Sequence, residues 1–115
     1  MNEKKAPEMI SGVPQIVMAA AAADVETVTA LLNSGALVDS TDGCGRTALI
    51  AAAAESYFAE NREQFERYVM TVKILIENGA DAGIRDEQGN TAADHAYLSN
   101  EIENILNKSA AGVKP

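Results

Sequence analysis

Asp42-Gly43-Cys44-Gly45-Arg46-Thr47-Ala48-Leu49-Ile50-Ala51-Ala52-Ala53 decides the fold, because its first half returns 44 residues later. Asp42-x-x-Gly45-x-Thr47-Ala48 recurs as Asp86-x-x-Gly89-x-Thr91-Ala92. Just upstream, Gly35-Ala36 recurs as Gly79-Ala80 at the same offset, and each pair follows an apolar run, Val28 to Leu32 and Val72 to Ile76. The second half of the stretch looks backward instead. Pro14-Gln15-Ile16-Val17-Met18-Ala19-Ala20 matches Thr47 to Ala53 at an offset of 33. Self-similarity at such periods is the signature of stacked supersecondary units. The two offsets differ by 11, so the second unit carries an 11-residue insertion after Ala53 and before Val72.

The residues fit a helical hairpin in each unit. The first helices are rich in alanine, Ala19 to Ala23 and Ala51 to Ala54, which allows neighbouring units to approach closely. The second helices carry apolar stripes at helical spacing: Val25, Val28, Leu31 and Leu32, then Val69, Val72, Leu75 and Ile76. Asp24 is placed to cap a helix start, Thr47 and Thr91 to open the following helices, and Gly35 and Gly79 to end helices in the left-handed conformation. In the last unit Leu98, Ile102, Ile105 and Leu106 face inward, and Glu101, Glu103, Asn104 and Asn107 give the polar outer face that a terminal repeat needs.

These motifs resemble the ankyrin repeat. That family's pattern reads Asp-x-x-Gly-x-Thr-Pro-Leu-His-x-Ala-Ala, an apolar helix, then Gly-Ala-Asp. Asp42 to Ala53 carries most of the first part, Val72 to Asp81 the second, and Thr91-Ala92-Ala93-Asp94-His95-Ala96 opens a capping unit. The departures are Ala for Pro after Thr47 and Thr91, Met9 for the Asp of the first unit, and the insertion. The resemblance implies an all-α solenoid of helix-turn-helix units with short hairpin fingers. The expected organisation is a flexible tail over 1–8, a repeat domain over 9–108 and a second flexible tail over 109–115. Its units span about 9–41, 42–85 and 86–108.

The insertion, near 55–67, contains no Gly or Pro. Phe65 and Tyr68 continue the apolar stripe of the second helix, so the spacing predicts that both helices of this unit are lengthened, with a turn near Glu60-Asn61. Four of the five aromatic residues fall between positions 57 and 68: Tyr57, Phe58, Phe65 and Tyr68. Either they pack on one another to stabilise the longer hairpin, or some face outward as a partner-binding ridge, as aromatic-rich interface cores do.

Composition excludes several classes. The net charge is −8, and over residues 9–107 five basic residues stand against fifteen acidic ones. This argues against binding a phosphate backbone and for a protein partner with a basic or mixed-charge surface. The longest apolar run, Ile16 to Ala23, is far below the roughly 20 residues of a spanning helix, and the repeat register uses it as a helix rather than a signal peptide. The expected setting is soluble: cytoplasmic, or periplasmic if a signal peptide has been removed. A single Cys and a single His exclude an intrachain disulfide and leave no structural Cys/His zinc site.

Chemical motifs reduce to the repeat. Gly43-Cys44-Gly45 partly matches a dinucleotide fingerprint, but no βαβ unit surrounds it. Asp39, Asp42, Asp81 and Asp86 lack calcium-loop spacing. The register places Cys44 on a finger and His95 in another unit, which speaks against a catalytic pair. No catalytic residue, metal or cofactor is expected.

The family resemblance implies protein binding through finger tips and the inner-helix groove. Carried over position by position, it marks Thr41, Gly43, Cys44, Arg46, Glu55, Arg85, Glu87, Gln88 and Asn90, to which the insertion adds Tyr57, Phe58 and Phe65. So small an acidic repeat domain acts by occupying another molecule's surface. The expectation is a stoichiometric inhibitor or immunity protein that masks an enzyme such as a cell-wall peptidase, monomeric when free and heterodimeric with its partner. A non-inhibitory adaptor is the alternative. Short bacterial ankyrin proteins resemble the first type.

Overall fold

The structure, a computed structural model, describes residues 9–10, 13–96 and 99–113. It is two layers of helices. One layer consists of α1 (Gln15–Ala21), α3 (Ala48–Glu55) and α5 (Ala92–His95), packed in that order. The other consists of α2 (Val25–Asn33), α4 (Arg62–Glu77) and α6 (Asn100–Val113). Each helix of the first layer packs on its successor in the second, so every unit is a helical hairpin stacked on the next. A short antiparallel pair, β1 (Met9–Ile10) with β2 (Val13–Pro14), forms the first finger, with Met9 opposite Pro14 and Ile10 opposite Val13.

The core lies between the layers. Ile16, Leu49, Ile50, Leu75, Ile102, Leu106, Val28 and Val72 are its largest fully buried apolar side chains. α3 is the central inner helix, and all six residues from Ala48 to Ala53 are buried. Its alanines explain how: a helix sandwiched between α1 and α5 has no solvent face, and small side chains let both neighbours reach it. Leu98, expected to pack inward, lies outside the described residues, as do Tyr97 and positions 1–8. α6 continues to Val113, beyond position 108 where the sequence reading ends the repeat domain.

The caps fall where the sequence places them. Asp24 accepts the backbone N–H of Thr27 at 3.2 Å and its hydroxyl at 2.7 Å, and these bonds hold the Asp24 carboxyl below its usual range. Thr47 accepts from the Ile50 N–H. Thr91 and Asp94 form a reciprocal capping box, with bonds of 3.0 and 3.2 Å. α2 and α4 end at Gly35 and Gly79, both at positive φ, where Ala36 and Ala80 donate back to Leu31 and Leu75.

The insertion differs from its expected form in one respect. α4 is sixteen residues long against nine for α2, about 10 Å more helix, and it starts from the cap Asn61 as the turn position predicts. The first helix, however, gains only a 3-10 turn over Ser56–Phe58. At this point the Ser56 hydroxyl donates back to the Ala53 carbonyl at 2.7 Å, a local bond of the kind that competes with the backbone ladder of an α-helix. Asn61 accepts the Gln64 N–H at 2.8 Å, and the Gln64 side chain accepts the N–H of Glu60.

The lengthened hairpin is fastened on both sides. Toward the first unit, the buried Tyr68 donates its hydroxyl to the Ala21 carbonyl at 2.7 Å, while Arg67 pairs with Glu26 at 2.8 Å. Toward the third, Arg62 pairs with Glu101 at 3.0 Å.

Candidate functional site

The second and third fingers are built alike. In the second, the Asp42 carboxylate accepts the N–H groups of Cys44 and Arg46 at 2.8 and 3.0 Å, and the Asp42 N–H donates to the Arg46 carbonyl. In the third, Asp86 accepts from Gln88 and Asn90, both at 3.0 Å, and closes on the Asn90 carbonyl. The aspartate at the first position thus closes each finger as an Asx turn, together with a positive-φ glycine three residues on. The fingers are tied together: the Glu87 N–H donates to the Cys44 carbonyl at 3.0 Å. Gly45 makes this approach possible. It has φ +77°, and a Cβ there would sit 3.1 Å from the Glu87 nitrogen.

The third finger has an anchor that the second lacks. Asp86 is buried, and its second carboxylate oxygen lies 2.8 Å from His95 Nε2 in α5. This bond first, then the backbone donors Asn90 and Gln88, holds the Asp86 carboxyl below the usual carboxylate range. In the repeat register Ala51 stands where His95 does, so Asp42 has no such partner.

The residues marked by the sequence fall into two clusters. Cys44, Arg46, Glu87 and Gln88 line a cleft of about 170 Å³ between the second and third fingers, with Asp42 and Asp86. Cys44 is exposed and free, and Arg46 is half-buried. Thr41 and Gly43 are exposed beside them without lining that cleft. Arg85 is exposed but bent onto its own finger, donating to the Gly89 carbonyl at 2.7 Å. Asn90 contributes its backbone to the turn.

The second cluster surrounds the insertion. Tyr57 and Phe58 are 63% and 67% exposed, with their rings edge to face at a centroid distance of 5.0 Å. Phe65 is half-buried and Tyr68 buried. Exposure separates the rings: Tyr68 and Phe65 pack into the hairpin, whereas Tyr57 and Phe58 pack on each other and face solvent. Glu55 is half-buried, and its charge, after burial itself, raises the Tyr68 hydroxyl pKa. Tyr57 and Phe65 also line a cleft of about 260 Å³ with Ser56, Ala59, His95, Ala96 and Ser99.

Sequence reasoning passed over several groups that the fold places at the surface. Met18 is 44% exposed and Leu37 72% exposed. The register could have flagged both, since Met18, Ala51 and His95 share one repeat position and Leu37 replaces the aspartate found at Asp81. Met70 is also exposed, on α4. The pairing of His95 with Asp86 carried no signal in spacing alone.

Among the described residues no group of three His, Cys, Asp or Glu side chains is placed to hold a metal ion, and no helix is long and apolar enough to cross a membrane. His95 Nε2 is engaged by Asp86.

A family model for ankyrin repeats, in three copies, matches residues 16–109. No curated protein matches the sequence.

Proposed function

Since the chain belongs to the ankyrin-repeat family, whose repeats mediate binding to other proteins, we propose that this module is a stoichiometric inhibitor or immunity protein masking a partner enzyme. A hydrolase dangerous to its producer, such as a cell-wall peptidase, is the kind of partner envisaged. The observation that carries this reading is the exposed Tyr57–Phe58 pair on a hairpin fastened to both neighbouring units. Aromatic side chains held on a rigid support lose little freedom on binding, and they dominate the energetics of interface centres. Such a projection suits a wedge in a cleft. The acidic surface around it favours a basic or mixed-charge partner.

The adaptor reading draws on a different observation: the finger cleft and the insertion cleft share no lining residue, so two partners could bind at once. One experiment separates the readings. The partner is captured from the native source on the purified protein, with and without residues 55–67, and its hydrolytic activity is titrated. The masking reading expects complete loss of activity at a 1:1 ratio. It also expects the double substitution Tyr57→Ala and Phe58→Ala to weaken the complex by about 2–4 kcal/mol, the range of interface hot spots. A captured partner that stays fully active at molar excess overturns masking and leaves the adaptor.

A further inference from the structure

The cleft between the insertion and the third unit has a shape and chemistry of its own. At about 260 Å³ it is smaller than the roughly 300–1,000 Å³ of small-molecule pockets, and it suits one long side chain. Tyr57 and Phe65 form aromatic walls, and Ser56, Ser99 and His95 supply polar groups. Phe65 already shows what its ring attracts: the Arg62 guanidinium carbon lies 5.2 Å from its centroid. Arg62 itself adds little net positive charge, since Glu66 and Glu101 pair with it at 2.7 and 3.0 Å. Behind His95 stands the Asp86 carboxylate, its side chain only 3% exposed, where a charge is poorly screened by solvent.

We propose that this cleft receives a single arginine side chain of the protein partner, stacked on Tyr57 and Phe65 and drawn by the carboxylate behind His95. The inference rests on the protein-binding reading and adds the residue type recognised. The alternatives fit worse. An acidic side chain would be repelled by the Asp86 carboxylate behind His95, and an apolar one would draw nothing from that charge; the Ser56 and Ser99 hydroxyls are already bonded to Ala53 and Ile102. Arginine is preferred to lysine because its guanidinium is planar, weakly hydrated and stacks on aromatic faces.

His95 is the only histidine in the sequence, so its ring Cε1–H gives a single proton resonance inside the cleft. The experiment titrates the full chain with N-acetyl-arginine amide, and separately with N-acetyl-citrulline amide, the uncharged isostere, at constant ionic strength. The expected result is a saturable shift of the His95 resonance with arginine only. Tyr57→Ala, a change at an exposed side chain, should weaken that binding by about 2- to 30-fold. Equal shifts with both amides, no saturable shift with arginine, or unchanged affinity in Tyr57→Ala would each overturn the proposal. The enzyme titration above does not depend on this result, so masking and arginine recognition fail separately.

Discussion

In the first unit three residues, Ala22 to Asp24, carry the chain from α1 to α2, whereas in the second unit six residues, Ser56 to Asn61, join α3 to an α4 that starts two turns early. The short connection is tight. Ala23 adopts φ +55°, a left-handed conformation unfavourable for any residue with a Cβ, and it does so with its side chain buried. The long connection contains no positive-φ residue and distributes its demands over Ser56, Asn61 and Gln64. The extra chain therefore relaxes the backbone, adds contacts to both neighbouring units, and brings two aromatic rings to the surface. The first unit packs against one neighbour and the second against two.

The largest test of this difference is a matched pair of core truncations. Leu31 and Leu75 occupy the same repeat position, but Leu75 is fully buried and Leu31 half-buried. Leu75→Ala should cost about 2–5 kcal/mol of unfolding free energy and Leu31→Ala clearly less, read from denaturant midpoints. Equal costs would mean that the end unit is as tightly packed as the central one.

A smaller effect isolates the fastening of the insertion. Tyr68→Phe removes the bond to the Ala21 carbonyl and little else, so a loss of about 1 kcal/mol is expected. Thermal unfolding of the two proteins side by side measures it, and no loss would show that the hairpin is held by packing alone.

The smallest effect is expected at the tight turn. Ala23→Gly relieves the left-handed strain but removes a buried methyl group and loosens the unfolded chain. Terms of about 1 kcal/mol oppose each other, and the net change should stay within about 0.5 kcal/mol. A large stabilisation would mean that the methyl contributes nothing to the stack.

Most of the framework was legible in the chain because repeats announce themselves twice. Asp24, Thr47 and Thr91 act over three residues, a local event that spacing predicts. The inserted length and the turn near Asn61 followed from the offset arithmetic and a continuous apolar stripe. The form of the connection did not. Residues 56 to 58 form a 3-10 turn in which the Ser56 side chain bonds to Ala53, a local choice that apolar periodicity does not report.

The candidate surfaces were less legible, for a different reason. Residue type marked Tyr57, Phe58, Phe65 and Tyr68 as a group, but exposure separated them: Tyr68 found a carbonyl in another unit, and Tyr57 and Phe58 found solvent. In the fingers the turns were legible, because each is a short local structure closed by its own aspartate, but nothing in the sequence signalled the cleft that Cys44, Arg46, Glu87 and Gln88 line with Asp42 and Asp86.

The sequence by itself determined the repeat, its register, the caps that start its helices and the position of the insertion. All of these are set by hydrogen bonds and periodicities spanning a few residues. Only the tertiary structure decided that His95 meets Asp86, that Arg62 and Arg67 reach opposite neighbours, and that the insertion forms a cleft with the third unit. Those contacts join side chains from different elements. Their geometry depends on how the units stack, and packing of that kind is settled by the whole set of buried surfaces together.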